Sequence, residues 1–315
     1  MTLDTPVAFF VFRRPDLTAR VFEAIAAAQP ARLLIIGDGP RQGHPGDEPM
    51  VAQTRAVVER VTWPCRVETN YSASNLGCKQ CVEGGLAWVF SQVEEAIILE
   101  DDCLPHPSFF PYCAELLRRY RDDERIVSIG GVNFQDGVSR SPHGYFFSKF
   151  FHCWGWASWR RVCRQYDRDL RTWPDFRDSG GLANWTDCPR EEAFWRNLFE
   201  RQHRGEFDSW AYAWLYSCWA QAGLSILPDV NLVSNIGFGD GAHHTRSSDS
   251  PLANRPTAPI RLGSPPACVV RCRAADQYTF LNYFRRPRGW RRWLCRIQRL
   301  RRRTAVGATR VATPD

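Results

Sequence analysis

The sequence predicts an α/β protein built on a mostly parallel sheet flanked by helices. Three observations carry that expectation. Short apolar runs alternate with longer helix-like stretches through the first 130 residues, in the βα manner. The run Ala96-Ile97-Ile98-Leu99 ends abruptly in Glu100-Asp101-Asp102, as a buried strand does when it reaches the carboxyl edge of a sheet. Turn chemistry such as Asp38-Gly39-Pro40 closes the apolar runs.

Taken in order, Val7-Phe12 reads as a strand, Asp16-Ala28 as a helix and Arg32-Gly37 as a second strand. A helix follows over Pro49-Val61, a strand over Arg66-Asn70 and a longer helix from Asn75 to Ser91. After the acidic strand come a helix over Pro107-Arg121 and a strand at Ile126-Gly130. From Gly131 the pattern breaks into short aromatic pieces, and most of the 13 tryptophans lie in this half. Large aromatics are mostly buried, so a core role is preferred over a sugar-stacking platform. After Pro251 the Pro/Gly/Ser content rises and periodicity fades, which predicts a linker. The organisation read from the chain is therefore a nucleotide-binding half (1–130), a second half of the same domain (131–250), and a linker with a basic tail (251–315).

Composition narrows the classes. At 315 residues with 44 % hydrophobic and 13 % aromatic content, the chain can bury a large core and is not generally disordered. No apolar stretch approaches the roughly 20 residues of a membrane span, and the start of the chain lacks the pattern of a secretory signal, so a cytoplasmic location is expected. The cysteines are scattered, with a single CxxC at Cys78–Cys81, and read as free thiols rather than as a disulfide framework or zinc site. Residues 281–315 carry a net charge of +10, leaving −3 for the rest. The globular part thus has no positive excess, and no nucleic-acid partner is expected for it. In the tail, Trp290, Trp293, Leu294 and Ile297 recur at helical spacing among arginines, which fits an amphipathic helix on an anionic membrane surface at its inner face. A solvated tail and a salt-dependent nucleic-acid contact are the competing readings.

Three adjacent carboxylates repel one another, so their place at a strand end asks for a compensating cation. Hard oxygen donors suit Mg²⁺ or Mn²⁺, which take one or two carboxylates and complete their shell with water and substrate phosphates. The bland alternative is a solvated acidic turn ahead of the helix that Pro107 opens, where carboxylates favour the helix dipole.

The chain resembles the GT-A glycosyltransferases, and within them the N-acetylglucosaminyltransferase I type and similar bacterial proteins. The likeness runs through Ile98-Leu99-Glu100-Asp101-Asp102, Pro107-Ser108-Phe109-Phe110, Ile129-Gly130-Gly131-Val132-Asn133, Phe150-Phe151-His152-Cys153-Trp154-Gly155-Trp156 and Asn231-Leu232-Val233-Ser234-Asn235-Ile236-Gly237-Phe238-Gly239. It implies a GT-A-like fold and transfer of a sugar from a nucleotide-diphosphate donor to a glycan, lipid or protein acceptor. By resemblance, Asp102 coordinates a Mn²⁺ or Mg²⁺ ion, while Glu100 and Asp101 hold the ribose or reach the metal through water. Arg14 and Lys79 contact the nucleotide and its phosphates, and Asp38 accepts a hydrogen bond from the nucleobase. His243 or His244 reaches the metal or diphosphate, and Asp240 is placed to contact the acceptor.

An inverting transferase needs a carboxylate beside the acceptor hydroxyl. The matching aromatic-flanked segment is Glu206-Phe207-Asp208-Ser209-Trp210-Ala211, with Asp208 as the base and Glu206 as the alternative. One alignment by the tryptophans puts Ala211 where an aspartate is expected. Two other functions therefore stay in view, a sugar-nucleotide nucleotidyltransferase and a non-catalytic scaffold of the same fold.

Overall fold

The computed structural model describes residues 2–206, 208–239 and 250–285. The first half is a βα series: β1 (Val7–Val11), α1 (Pro15–Ala28), β2 (Arg32–Gly37), α2 (Asp47–Val58), β3 (Arg66–Tyr71), α3 (Cys78–Gln92) and β4 (Glu95–Glu100). β1 is buried throughout and lies parallel to β2 on one side and β4 on the other. Register then levels the strand ends: Phe10 stands opposite both Ile36 and Glu100, so all three strands end at one level. The loops after them, carrying Arg14, Asp38 and Asp102, open on the same edge, where ligands bind in open α/β sheets.

Local chemistry explains the helix starts. α1 opens with Pro15 at its first position, where the missing N–H has no partner to lose, and Asp16 favours the dipole. α2 begins two residues before the expected Pro49, because Asp47 is fastened by Arg13 at 2.9 Å and by Arg41 at 2.6 Å. That pairing, led by the Arg41 hydrogen bond, holds the Asp47 carboxyl down at about 2. α3 starts at Cys78 rather than Asn75, since the backbone of Leu76 and Gly77 is committed to Asp38 and Gly77 takes a left-handed φ of 79°.

β5 (Cys103–Pro105) leaves the main sheet and pairs antiparallel with β10 (Val233–Asn235). Between them run α4 (Phe109–Arg119), β6 (Ile126–Gly130), β7 (Tyr145–Ser148), β8 (Trp156–Trp159), the short α5 (Arg160–Cys163) and α6 (Trp173–Asp178), α7 (Pro189–His203), α8 (Trp210–Ala220) and β9 (Leu224–Pro228). The eight-stranded sheet has the order β3-β2-β1-β4-β8-β6-β9-β7. It is mostly parallel, but β8 inserts antiparallel between β4 and β6, and β7 runs antiparallel on β9. One hydrophobic core runs from Val7 to Phe280 through both halves of the chain. Trp156, Trp173, Trp195, Trp214 and Trp219 are fully buried in it, as the core reading of the tryptophans expects.

The segment expected to be a linker is docked for as far as residue 285. Its backbone donates to Asn235, Asn231 and Phe147, and α9 (Arg273–Thr279) seats a buried Asp276 against Ser148 and Arg271. Arg271 also pairs with Asp187, which lies 3.6 Å from the fully buried Lys149. Lys149 in turn binds Glu191 at 2.5 Å and the Trp185 carbonyl at 2.7 Å. Burial pushes the Lys149 ammonium down, and the Glu191 charge opposes that shift. A Pro/Gly/Ser-rich composition removes periodicity without removing tertiary partners, which is why this segment reads as a linker in sequence. The tail with Trp290, Trp293, Leu294 and Ile297 lies outside the described residues.

Breaking one partner of a buried pair leaves a charge without compensation, which costs about 3–5 kcal/mol. Lys149→Met is expected to destabilise the fold by roughly that amount in urea unfolding. A loss below about 1 kcal/mol, the scale of an exposed pair, contradicts the clamp.

Candidate functional site

β4 delivers its acids into the junction of β1, β5 and the chain after β10. The buried Asp101 accepts the Phe12 backbone N–H at 3.0 Å and lies 3.7 Å from Arg14 Nη1. Asp102 Oδ2 receives the same Arg14 nitrogen at 3.1 Å. The Asp102 carbonyl accepts the Ile236 N–H at 2.8 Å, which ties the Asn235–Gly239 stretch to the acidic turn. A Cβ on Gly237 would stand 2.3 Å from Asp102 Oδ2, so only glycine leaves the carboxylate its place.

The electrostatics are those of an acid cluster short of positive charge. Burial is the main cause that lifts the Glu100 carboxyl to about 8, followed by repulsion from Asp102 and Asp101, with Arg14 opposing. Asp101 is lifted to about 7 by burial and then by Asp102, against Arg14 and the Phe12 N–H. Burial and mutual repulsion thus disfavour the charged forms of both carboxyls, and a nearby cation would relieve that.

The donors fit a hard divalent ion. Among the described residues no group of three or more His, Cys, Asp or Glu side chains is arranged to hold a metal by itself. Mg²⁺ and Mn²⁺ accept one or two carboxylates and leave the remaining positions to water and phosphate. His243, His244 and Asp240 lie outside the described residues.

Lys79 stands at the second position of α3, and its Nζ lies 3.0 Å from Asp208 Oδ1. Asp208 precedes Ser209, whose Oγ caps α8 by accepting the Tyr212 N–H. Beside Lys79, the Cys78 thiol is raised to about 12, first by burial and then by Glu100, Asp102, Asp208 and Asp38. Reactive CxxC thiols need the opposite, an electropositive setting, and the described cysteines are free. Glu206 points to Arg201 at 3.7 Å, and Ala211 packs against the hydrophobic core.

Asp38 departs from the role expected of it. Its Oδ1 accepts the N–H groups of Gly39 and Leu76, both at 2.8 Å, and its Oδ2 accepts Asn75 Nδ2 at 2.8 Å and the Gly77 N–H at 3.1 Å. A carboxylate has about four lone-pair sites, and the loop fills them, leaving none for a nucleobase in this conformation. Burial raises the Asp38 carboxyl while those backbone donors pull it down. Asn75 and Gly237, which sequence reasoning did not assign, are the residues that shape the loops. Gly237 stands in a segment already singled out, but nothing local marks it as a neighbour of Asp102, 135 positions away.

No protein-family model matches this chain, and no curated protein matches it. Among solved structures, the chain is similar to a mannosyltransferase from Pyrobaculum calidifontis in complex with GDP-Man and Mn²⁺, at 13 % identity over 52 % of this chain and 47 % of that one, with a TM-score of 0.38. It is also similar to a UDP-glucose pyrophosphorylase complexed with UDP-glucose, at 11 % identity over 51 % of this chain and 78 % of that one, with a TM-score of 0.30. The chain spans about half the length of the mannosyltransferase it matches. Likenesses of that size carry no functional argument. The mostly parallel sheet and its flanking helices make the fold α/β.

A carboxyl raised in the folded state contributes stability that is complete below its unfolded value and lost as pH climbs to the folded one. In EDTA, thermal stability is expected to fall from pH 5 to pH 8 as Glu100 and Asp101 ionise at about 8 and about 7. Glu100→Gln should flatten that fall, and parallel melting curves for variant and wild type contradict the charge deficit. Gly237→Ala is expected to displace Asp102 and abolish Mn²⁺-induced stabilisation, read as the loss of a melting-temperature shift.

Proposed function

We propose that this protein is a metal-dependent glycosyltransferase that moves a sugar from a nucleotide-diphosphate donor to an acceptor hydroxyl with inversion, as the N-acetylglucosaminyltransferase I resemblance implies. The observation that carries the reading is the charge-deficient triplet at the end of β4, cradled by Gly237 and met by Arg14. Asp102 is the residue to hold a Mn²⁺ or Mg²⁺ ion, and a bound ion supplies neutralisation of the charge that grows on the departing diphosphate. Glu100 and Asp101 serve the ribose or the water shell of the ion, and Arg14 balances them against the nucleotide. Asp38 acts indirectly, by holding the loop at the nucleobase end. Lys79 and the positive end of the α3 dipole face the phosphates.

Asp208 takes the proton of the acceptor hydroxyl while that oxygen bonds to the anomeric carbon. The bond from that carbon to the phosphate oxygen breaks, and its electron pair leaves with the nucleoside diphosphate. Glu206 is the alternative base. His243 or His244 completes the site from the segment after Gly239.

The basic tail is read as a contact with an anionic membrane at its inner face. Ahead of the tail, Phe284 lies against Phe150 and His152. A glycan-bearing lipid would join glycan and protein among the acceptors to test. No helix among the described residues is long and apolar enough to cross a membrane.

A thermal-shift panel of nucleotide sugars with Mn²⁺ should raise the melting temperature for one donor class, because ligands that bind only the folded state stabilise it. Asp102→Asn should remove the shift. Turnover should release nucleoside diphosphate, whereas release of pyrophosphate identifies a nucleotidyltransferase instead. Full-length protein should co-sediment with anionic liposomes at low salt, and a chain ending at residue 285 should not. Equal sedimentation of the two removes the membrane contact.

A further inference from the structure

We propose that Lys79 and Asp208 form a latch that the donor opens, so that the base is released for the acceptor only after a diphosphate is in place. The inference rests on the glycosyltransferase reading and adds an order of events to it. Two groups with different roles in that reading are joined to each other at 3.0 Å. While the pair holds, Asp208 faces an ammonium rather than an acceptor hydroxyl, and Lys79 faces a carboxylate rather than a phosphate.

The pair is built to exchange partners. Lys79 is fixed at its root in the first turn of a 15-residue helix, while its four-carbon stem lets the ammonium move as a point charge. Its side chain is 20 % exposed, whereas that of Asp208 is 74 % exposed on the stretch before the Ser209 cap. The carboxylate is thus the partner free to swing into solvent. An exposed pair of this kind is weak, and a diphosphate carries more charge than one carboxylate, so the incoming ligand wins the lysine. The residues just ahead of α3, Leu76 and Gly77, donate their N–H groups to Asp38 at the end of β2, which the register sets level with Glu100, so the helix carrying Lys79 begins at the edge where the diphosphate would lie. Lys79 is here a positioning residue for the base as well as a phosphate contact.

A double-mutant cycle on full-length protein tests the latch, with titration calorimetry of uridine, guanosine and adenosine diphosphates in the presence of Mn²⁺. Asp208→Asn is expected to tighten binding of the preferred diphosphate about two- to fivefold, because the lysine loses its competitor. Lys79→Met should weaken it, and adding Asp208→Asn to Lys79→Met should then change nothing. An unchanged affinity in Asp208→Asn overturns the latch. Equal tightening in both backgrounds also overturns it, since that is general charge repulsion with no exchange of partners. If wild-type protein binds none of the three diphosphates, the glycosyltransferase reading falls together with the latch, and that outcome is distinct from the other two.

Discussion

Three carboxylates leave the end of one buried strand within three consecutive residues, and the surrounding chain is arranged around that charge. Glu100 is half-buried and Asp101 buried, so water screens them poorly and their repulsion is felt at full strength. The parallel register of β1 with β4 brings Arg14 and the Phe12 N–H to them. The β5–β10 pairing brings Gly237, whose missing side chain is the space that Asp102 occupies. Each of these contacts lowers the local energy without cancelling the charge, and the remaining deficit of positive charge is what a divalent ion would fill.

The second half of the chain supplies Asp208, the partner of Lys79. α8 packs Trp210, Trp214 and Trp219 into an aromatic cluster with Phe151, Trp156 and Trp195, so its N-terminus has a fixed position. Asp208 stands just ahead of that N-terminus and is aimed by a rigid element while remaining exposed itself. The Lys149 network draws residues 271–276 onto the same body, where α9 and the aromatics after it close against Phe134, Phe150 and His152. An exposed acid on a stiff support is what partner exchange requires.

Much of the first half is legible from sequence because each strand there is a short apolar run and each helix an amphipathic one. The acidic triplet is legible for the same reason, as an abrupt change of polarity at a strand end. The register that unites Arg14, Asp38 and Asp102 follows once the sheet is parallel. What stays hidden is long-range in the chain. Asp38 looks like a nucleobase acceptor until Asn75, Leu76 and Gly77 are seen to fill it. Pro251 onward looks like a linker until Asp276 and Arg271 are seen against Ser148 and Asp187. Gly237 and the Lys79–Asp208 pair belong to the same class, since no local pattern encodes which distant residue a side chain will meet.

The central claim is that Asp102 and its neighbours hold a divalent ion together with a diphosphate. Electron paramagnetic resonance of protein-bound Mn²⁺ with ¹⁷O-labelled nucleoside diphosphate tests it most directly, because the label broadens the lines only when phosphate oxygen binds the ion itself. Broadening of a protein-bound signal in wild type, and no protein-bound signal in Asp102→Ala, is the expected result. A spectrum in which wild type and Asp102→Ala retain Mn²⁺ equally, or in which neither does, contradicts the account.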